Sequence, residues 1–252
     1  MTLLAVERIK LFTTRSPWWC ALIALAVTAG MAALIAGESN SDGDSMTVAA
    51  SQFGYSFGLV VVMVMAALAV TTEYRFSTIR ATFQAIPNRT SALLAKTAVV
   101  ALLAAVIGEL AAFSSWGLAS VISTNELGIN TAFEWRAVAG VGLVYAIAAV
   151  VAVSVGIMIR HSAGAISVLL IYTQLIESLI LLIPRVGDDI HKWMPFNMAN
   201  HFLTGNPDAD GVISMGPPPD VTIAPWAALA YFAGFAAILL VGSLVVANKR
   251  DA

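Results

Sequence analysis

Long apolar blocks alternate with short polar segments along the chain. About 20 consecutive apolar residues form a helix that crosses a hydrocarbon core of about 30 Å. Blocks of this kind occupy about 17–36, 53–72, 91–122, 136–159, 163–183 and 224–247. The pattern predicts an all-α polytopic membrane protein. Its single transmembrane domain covers 1–252, with six transmembrane helices, a polar N-terminal segment over 1–16 and a long polar loop over 184–223.

Composition supports this class and excludes a soluble protein. Hydrophobic residues make up 59% of the 252 residues, charged residues make up 11%, and the mean hydropathy is +0.86. A soluble domain carries about 25% charged residues. No room is left for a large soluble domain, and we expect no nucleic acid as a partner. The composition, rich in Ala and Val and poor in Lys, is typical of high-GC bacteria.

The polar segments differ in charge according to the side of the membrane on which they would lie. One set of segments is basic and contains all but three of the Lys and Arg residues. The three exceptions are Arg136, Arg185 and Lys192. By the positive-inside rule the basic set is cytoplasmic, so both termini are expected inside. The basic set, 10 of the 13 Lys and Arg residues, comprises Arg8, Lys10, Arg15, Arg75, Arg80, Arg89, Lys96, Arg160, Lys249 and Arg250.

The segment EYRFSTIRATFQAIPNRTSALLAK, from Glu73 to Lys96, has its own apolar pattern. Phe76, Ile79, Phe83 and Ile86 follow helical spacing and form one narrow stripe. Pro87 ends such a helix, so an amphipathic helix is predicted over 76–86. Its stripe could rest on anionic lipid or insert into a groove on a soluble partner. The pattern alone favours lipid.

This segment resembles the loop after the second span of type-2 ATP-binding-cassette (ABC) export permeases. That family commonly has Glu, then a small residue followed by Thr, then Pro and Arg, then a Lys that opens the third span. The matching residues here are Glu73, Ser77, Thr78, Pro87, Arg89 and Lys96. Position 77 is often Gly in the family. The six-span layout and the basic N-terminal segment also resemble short bacterial, actinobacterial-like permeases of drug or antibiotic export.

The resemblance implies functions for several segments. The helix at 76–86 would be the coupling helix that docks into the ATP-binding subunit, and the N-terminal helix would be an elbow helix along the membrane. A second permease copy or a homologous permease would complete the exporter in the bacterial plasma membrane. The residues implied to contact the ATP-binding subunit are Glu73, Arg75, Phe76, Ser77, Thr78, Ile79, Arg80 and Phe83.

The chain itself lacks the residues that bind and hydrolyse ATP. No G-x-x-x-x-G-K-[ST] phosphate loop occurs in it, so we expect no cofactor on this chain, and ATP and Mg on the partner subunit. We expect no catalytic residue and no metal site. The implied function is therefore ATP-driven export of an amphipathic or hydrophobic drug, antibiotic, peptide or lipid, with hydrolysis on another polypeptide.

Two acidic residues fall inside predicted spans. Glu109 lies in the third, and Glu177 lies in the fifth with Gln174 one turn before it. An acidic group at the bilayer centre costs about 2.5–3.5 kcal/mol on insertion scales. Such residues contact a substrate path or tie helices together by hydrogen bonds, and the sequence leaves both possibilities open. A stand-alone proton-coupled carrier or an intramembrane enzyme that uses Glu109 and Glu177 is the alternative function.

Overall fold

The computed structural model describes residues 3–42, 46–85, 88–184, 186–205 and 223–250, and this part of the chain is mostly helical and contains no strand. A 3₁₀ turn at Ala50–Gln52 and a π-helix at Ile171–Ile176 accompany the α-helices. The α-helices are α1 (Leu3–Thr13), α2 (Ser16–Asp42), α3 (Tyr55–Arg75), α4 (Thr78–Ala85), α5 (Arg89–Ile122), α6 (Ala132–Ile159), α7 (Ser162–Leu170), α8 (Glu177–Ile180), α9 (Gly187–Lys192), α10 (Pro195–Thr204) and α11 (Pro225–Arg250).

Six helical segments in the described ranges are long and apolar enough to cross a membrane, which confirms the predicted fold class. They are α2, α3, α5, α6, the continuous run from α7 to α8, and α11. The fifth segment ends at Ile180, three residues before the predicted end. Its middle is a π-helix, Ile171–Ile176, and such wide turns are rare and concentrate at functional sites.

Helix α6 forms the centre of the bundle. It packs against α5, α3 and α11 and is the most buried of the six segments, whereas the first, fifth and sixth are the least buried. Gly108 of α5 and Gly142 of α6 allow the two backbones to approach closely, since a Cβ on Gly108 would lie 2.9 Å from the Cα of Gly142. The buried Tyr145 hydroxyl donates to the Tyr55 carbonyl at 2.7 Å and joins α6 to α3.

Side-chain contacts show which helix ends lie together. At one end, Ser162 donates to Thr71 at 2.9 Å, and Asn248 donates to Thr90 at 3.2 Å. These contacts bring together the segments that carry most of the Lys and Arg residues, and we call this the basic end. At the other end, Asn40 donates to the Ile122 carbonyl at 2.7 Å. The neighbouring segments carry Glu38, Asp42 and Glu126, and we call this the acidic end.

The segment after the fifth span packs back into the acidic end. Helix α10 is almost wholly buried against α6 and α11. Its apolar side chains include Met198, Phe202 and Leu203. Residues 185 and 206–222, which belong to the predicted loop at 184–223, lie outside the described residues.

Candidate functional site

The chain makes a sharp turn between α3 and α4 at the basic end. Helix α3 ends at Arg75, and Ser77 has φ 57°, in the left-handed region that L-residues other than Gly seldom adopt. Helix α4 then begins at Thr78, so the predicted helix over 76–86 starts two residues later than expected. Ile86 and Pro87 lie outside the described residues. At position 77, where the family commonly has Gly, the backbone conformation is thus one that Gly adopts without steric cost.

Two residues of the predicted stripe, Ile79 and Phe83 of α4, face the protein itself, whereas Phe76 lies before α4 and is exposed. Ile79 is 6% exposed, and Phe83 packs against the same core. After the turn at Ser77, α4 packs against α3 and α5, and its apolar side is therefore buried against these helices. The exposed side carries Arg75, Phe76, Ser77, Thr78 and Gln84.

Phe76 is the large apolar residue that this turn exposes. It is 68% exposed, and the Arg75 guanidinium lies 5.5 Å from the centre of its ring. The side chain of Arg80 lies outside the described part of the chain. A large exposed aromatic residue with a cation over its ring, outside the spans, forms the kind of contact that is enriched at protein interfaces.

A buried ionic cluster lies directly behind this turn. Lys96 of α5 contacts Glu7 of α1 at 2.6 Å and Glu73 of α3 at 2.8 Å. The Lys96 and Glu7 side chains are 7% and 5% exposed. The Oε2 atom of Glu73 is buried and accepts no hydrogen bond from the described residues. Two residues of the family-like segment, Glu73 and Lys96, are therefore paired with each other across 23 positions of the chain.

Lys10 links the cluster to α4. Its ammonium group contacts Glu7 at 2.7 Å and donates to the Thr82 hydroxyl at 3.0 Å. Burial by itself would raise the pKa of Glu7, but Lys96 and Lys10 outweigh it and lower that pKa. Burial by itself would lower the pKa of Lys10, but Glu7 and Glu73 outweigh it and raise that pKa. The four charges thus hold α1, α3, α4 and α5 together at one point.

Sequence reasoning singled out neither Glu7 nor Lys10 as a site residue, and the burial of Glu7 was the harder of the two to foresee. Its neighbours Leu4 and Ile9 are 51% and 48% exposed, whereas Glu7 is buried. A helix that presents apolar residues outward and an acidic residue inward has no clean apolar face in its sequence. The sequence offered one signal, which is the i, i+3 spacing of Glu7 and Lys10 in the N-terminal helix.

A cavity of about 820 Å³ opens beside the cluster. Apolar side chains of α3 and α5 line one part of it, and hydroxyl groups of α1 and α4 line another. The cavity lies between α1 and residues of α3 and α5, while Leu11 of α1 still packs against the core. Its lining residues include Leu11, Met65, Leu68, Thr72, Thr78, Thr82 and Val100.

The three polar residues predicted inside the spans are not brought together. Glu177 is buried, and its Oε1 accepts a hydrogen bond from the Phe196 backbone N–H at 3.1 Å, so it caps the first turn of α10. Gln174 is exposed. The expected shared face of Gln174 and Glu177 is wrong because the wide turns of the π-helix rotate the two positions apart.

Glu109 has a different environment. It is partly exposed on α5, and its side chain lies across Gly142 of α6. None of the described residues forms a hydrogen bond or ion pair with its carboxylate. The same part of the chain contains no group of three or more His, Cys, Asp or Glu side chains that could hold a metal ion.

The fold and the site define a helical membrane protein with six candidate spans and a short helix, fixed by an ionic cluster, after the second span. Comparison with protein families gives the identity of the class. The chain belongs to the family described as ABC-2 family transporter protein, whose model matches residues 3–175. The match includes α1, the ionic cluster and α4. A search of curated proteins gives no match. Membership makes the chain a transport membrane subunit, in a family that implies an ABC transporter with an ATP-binding partner.

Proposed function

We propose that the chain is the membrane subunit of an ABC exporter that moves an amphipathic or hydrophobic compound out of the cell. A separate nucleotide-binding subunit hydrolyses ATP with Mg, and a second permease, either a copy or a homologue, completes the pathway. The observation that carries the proposal is the buried cluster of Glu7, Lys10, Glu73 and Lys96, in a chain of the ABC-2 family.

The cluster gives α4 a mechanical connection to the spans. A helix that received force from a partner and was attached only by flexible loops would move alone. Here Lys10 joins α4 to α1 through Thr82, and Lys96 joins α1 and α3 to α5. Buried charges that lose one partner are costly, so these helices move together. A displacement of α4 is then transmitted to the second and third spans.

The partner docks on the exposed side of the turn rather than on the apolar stripe. Ile79 and Phe83 hold α4 against the bundle, and Phe76, with Arg75 over its ring, faces outward. Thr78 and Gln84 of α4 are also exposed. We assign this surface, Arg75–Thr78 together with Gln84, as the docking surface for the nucleotide-binding subunit.

The basic end of the bundle is the cytoplasmic end in this proposal. Most of the Lys and Arg residues gather there, and Trp18 and Trp19, 61% and 62% exposed, lie at the start of α2, where an aromatic membrane belt is expected. Leu4, Ile9 and Phe12 of α1 are also exposed. These apolar side chains suit a helix that lies along the bilayer surface.

Co-purification tests the proposal. The full chain is co-expressed with the ATP-binding subunit, and the complex is isolated through a tag on that subunit. Phe76→Asp is expected to reduce co-purification strongly and to abolish substrate-stimulated ATP hydrolysis, since it removes an exposed anchor from the docking surface. Trp193→Asp is the matched control, because Trp193 is also an exposed aromatic residue but lies near the acidic end.

The control is expected to keep the ATP-binding subunit. Membrane insertion of both variants is checked by their yield and by gel filtration. If the Phe76→Asp protein inserts normally and still co-purifies with the subunit at the unmodified level, the docking surface is wrong. If the unmodified chain associates with no ATP-binding subunit, the exporter proposal is refuted.

A further inference from the structure

The unpaired carboxylate of Glu109 lies close to the middle of the third span. It is thirteen residues after Lys96, the buried base of the ionic cluster, and thirteen before Ile122, the last residue of α5. At 1.5 Å per residue these separations are about 20 Å each. The carboxylate is therefore far from both aqueous ends of the helix, in the region where a charge is hardest to solvate.

Exposed apolar side chains of α5 lie next to Glu109 on the outer surface of the bundle. On the same side of α5, Leu102, Val106, Leu110 and Phe113 are 68%, 48%, 55% and 37% exposed. Behind the carboxylate, the α5–α6 crossing is closed by Gly108, Gly142 and Tyr145, and Tyr145 is fully buried. Glu109 therefore lies between an exposed apolar side of α5 and closely packed residues of α6.

Gly142 leaves room for the Glu109 side chain against α6. A Cβ at that residue would lie 2.7 Å from Cγ and 2.8 Å from Cδ of Glu109. The missing side chain leaves the space in which the Glu109 side chain lies against α6. The Glu109 side chain is consequently held against α6, and none of the described residues forms a hydrogen bond or ion pair with its carboxylate.

The charge distribution of the chain restricts what could pair with Glu109. Every Lys and Arg lies at 8–15, 75–96, 136, 160, 185, 192 or 249–250, and no predicted span carries one near its middle. A second copy of this chain therefore has no basic side chain at the depth of Glu109. A cation that reaches this site must dissolve in the hydrocarbon itself and carry its own apolar surface.

We propose that Glu109, with Gly142 behind it and Leu102, Val106, Leu110 and Phe113 around it, forms a lateral binding site for lipophilic cations. The apolar residues contact the hydrophobic part of the ligand, and the carboxylate pairs with its positive charge. Use of the site in transport rests on the proposed export function and would specify amphipathic cations as the substrate class. Binding itself requires no ATP-binding subunit.

Carbodiimide labelling tests the site on the full chain in lipid nanodiscs. Dicyclohexylcarbodiimide modifies carboxyl groups in apolar surroundings, and peptide mass spectrometry locates the product. Glu109 is expected to be labelled, and tetraphenylphosphonium at saturating concentration is expected to slow that labelling about tenfold. Tetraphenylborate, which has the same shape and the opposite charge, is expected to give no protection. Glu177, buried under α10, provides an internal comparison whose labelling the cation leaves unchanged.

Two variants separate the site from general effects on the protein. Glu109→Gln removes both the label at this position and saturable binding of radiolabelled tetraphenylphosphonium. Gly142→Ala forces the Glu109 side chain out of its place against α6, so labelling is expected to persist while protection by the cation weakens. Thermal unfolding of each variant verifies that the bundle is intact.

Several outcomes would overturn the proposal. They are an unlabelled Glu109 in the folded chain, equal protection by both ions, and unchanged cation binding in Glu109→Gln. Labelling that occurs only after oligomers are dissociated would also refute it and would place Glu109 in a subunit interface. The labelling assay contains no ATP-binding subunit, so its result is independent of co-purification. If the cation gives no protection but the chain still associates with the ATP-binding subunit, this site alone is refuted. If the cation protects Glu109 but the chain does not associate with that subunit, only the export function is refuted.

Discussion

Ser77 shows how one residue sets the direction of the candidate coupling helix. Its φ of 57° lets the chain leave α3 and enter α4 within two residues. An L-residue in this conformation costs roughly 1–2 kcal/mol relative to a right-handed one, and Gly does not incur that cost. The side chain is exposed, so the backbone rather than any contact determines which residues are tolerated here.

Ser77→Gly is expected to be neutral or to raise stability by about 1 kcal/mol, because it relieves the left-handed conformation. Ser77→Val is expected to be destabilising, since β-branched residues are genuine outliers at positive φ. Thermal unfolding of the purified chain measures both effects. Gln84 supplies the control: it is exposed within α4, where Gly costs about 1 kcal/mol, so Gln84→Gly should lower stability. If Gly lowers stability equally at both positions, the conformation of Ser77 is not limiting.

Glu177 makes a contact that predicts a structural effect. Its Oε1 accepts from the Phe196 N–H at 3.1 Å and replaces a local cap at the start of α10. Glu177→Leu should therefore destabilise α10 by about 0.5–2 kcal/mol, the usual cost of a lost cap. Glu177→Gln retains an acceptor oxygen and should lose less. Hydrogen exchange of the α10 amides measures the effect, and equal protection in both variants and the unmodified chain would contradict it.

At the scale of helices, the ionic cluster decides whether α1 stays on the bundle. Lys96→Met would leave Glu7 and Glu73 buried with only Lys10 as a cation nearby. Breaking a buried pair by removing one partner costs about 3–5 kcal/mol. The double variant Glu7→Leu with Lys96→Met removes both charges and should recover part of that loss. Proteolysis within α1, followed by mass spectrometry, measures attachment; equal cleavage of the single variant and the unmodified chain would show that the cluster does not hold α1.

The cluster also predicts a pH dependence with a definite sign. The pKa of Glu7 is lowered from 4.5, so its contribution to stability is present above 4.5 and is lost as pH falls through the lower pKa of the folded chain. The pKa of Lys10 is raised from 10.5, so its contribution is present below 10.5 and is lost as pH rises through the higher pKa. Hydrogen-exchange protection of the α1 amides should be constant between these two pH limits. It should decrease below the lower limit and above the upper one. In the Glu7→Gln variant, the loss of exchange protection at low pH should be smaller. If that loss is unchanged, groups other than Glu7 cause it.

At the scale of the whole molecule, the helices could be predicted from sequence and the direction of α4 could not. Six apolar blocks gave six helical segments, because bilayer thickness dictates the length of an apolar run. The stripe of Phe76, Ile79 and Phe83 predicted an amphipathic helix, but periodicity does not tell whether a buried face meets a partner or the protein itself. The pairing of Glu7 with Lys96 joins positions 89 apart, a separation that no local pattern encodes.

The orientation of the bundle is the last prediction. If the basic end is cytoplasmic, a cysteine at Asn248 should react with a membrane-impermeant maleimide only after cells are opened. A cysteine at Thr124, where Asn40 and the end of α5 meet at the acidic end, should react in intact cells. The native Cys20 is first replaced by Ala, so that only the introduced thiol can react. Both positions are exposed, so burial does not limit the reaction. The reverse pattern would invert the topology, and because it would place the docking surface outside the cell, it would refute ATP-driven coupling at α4.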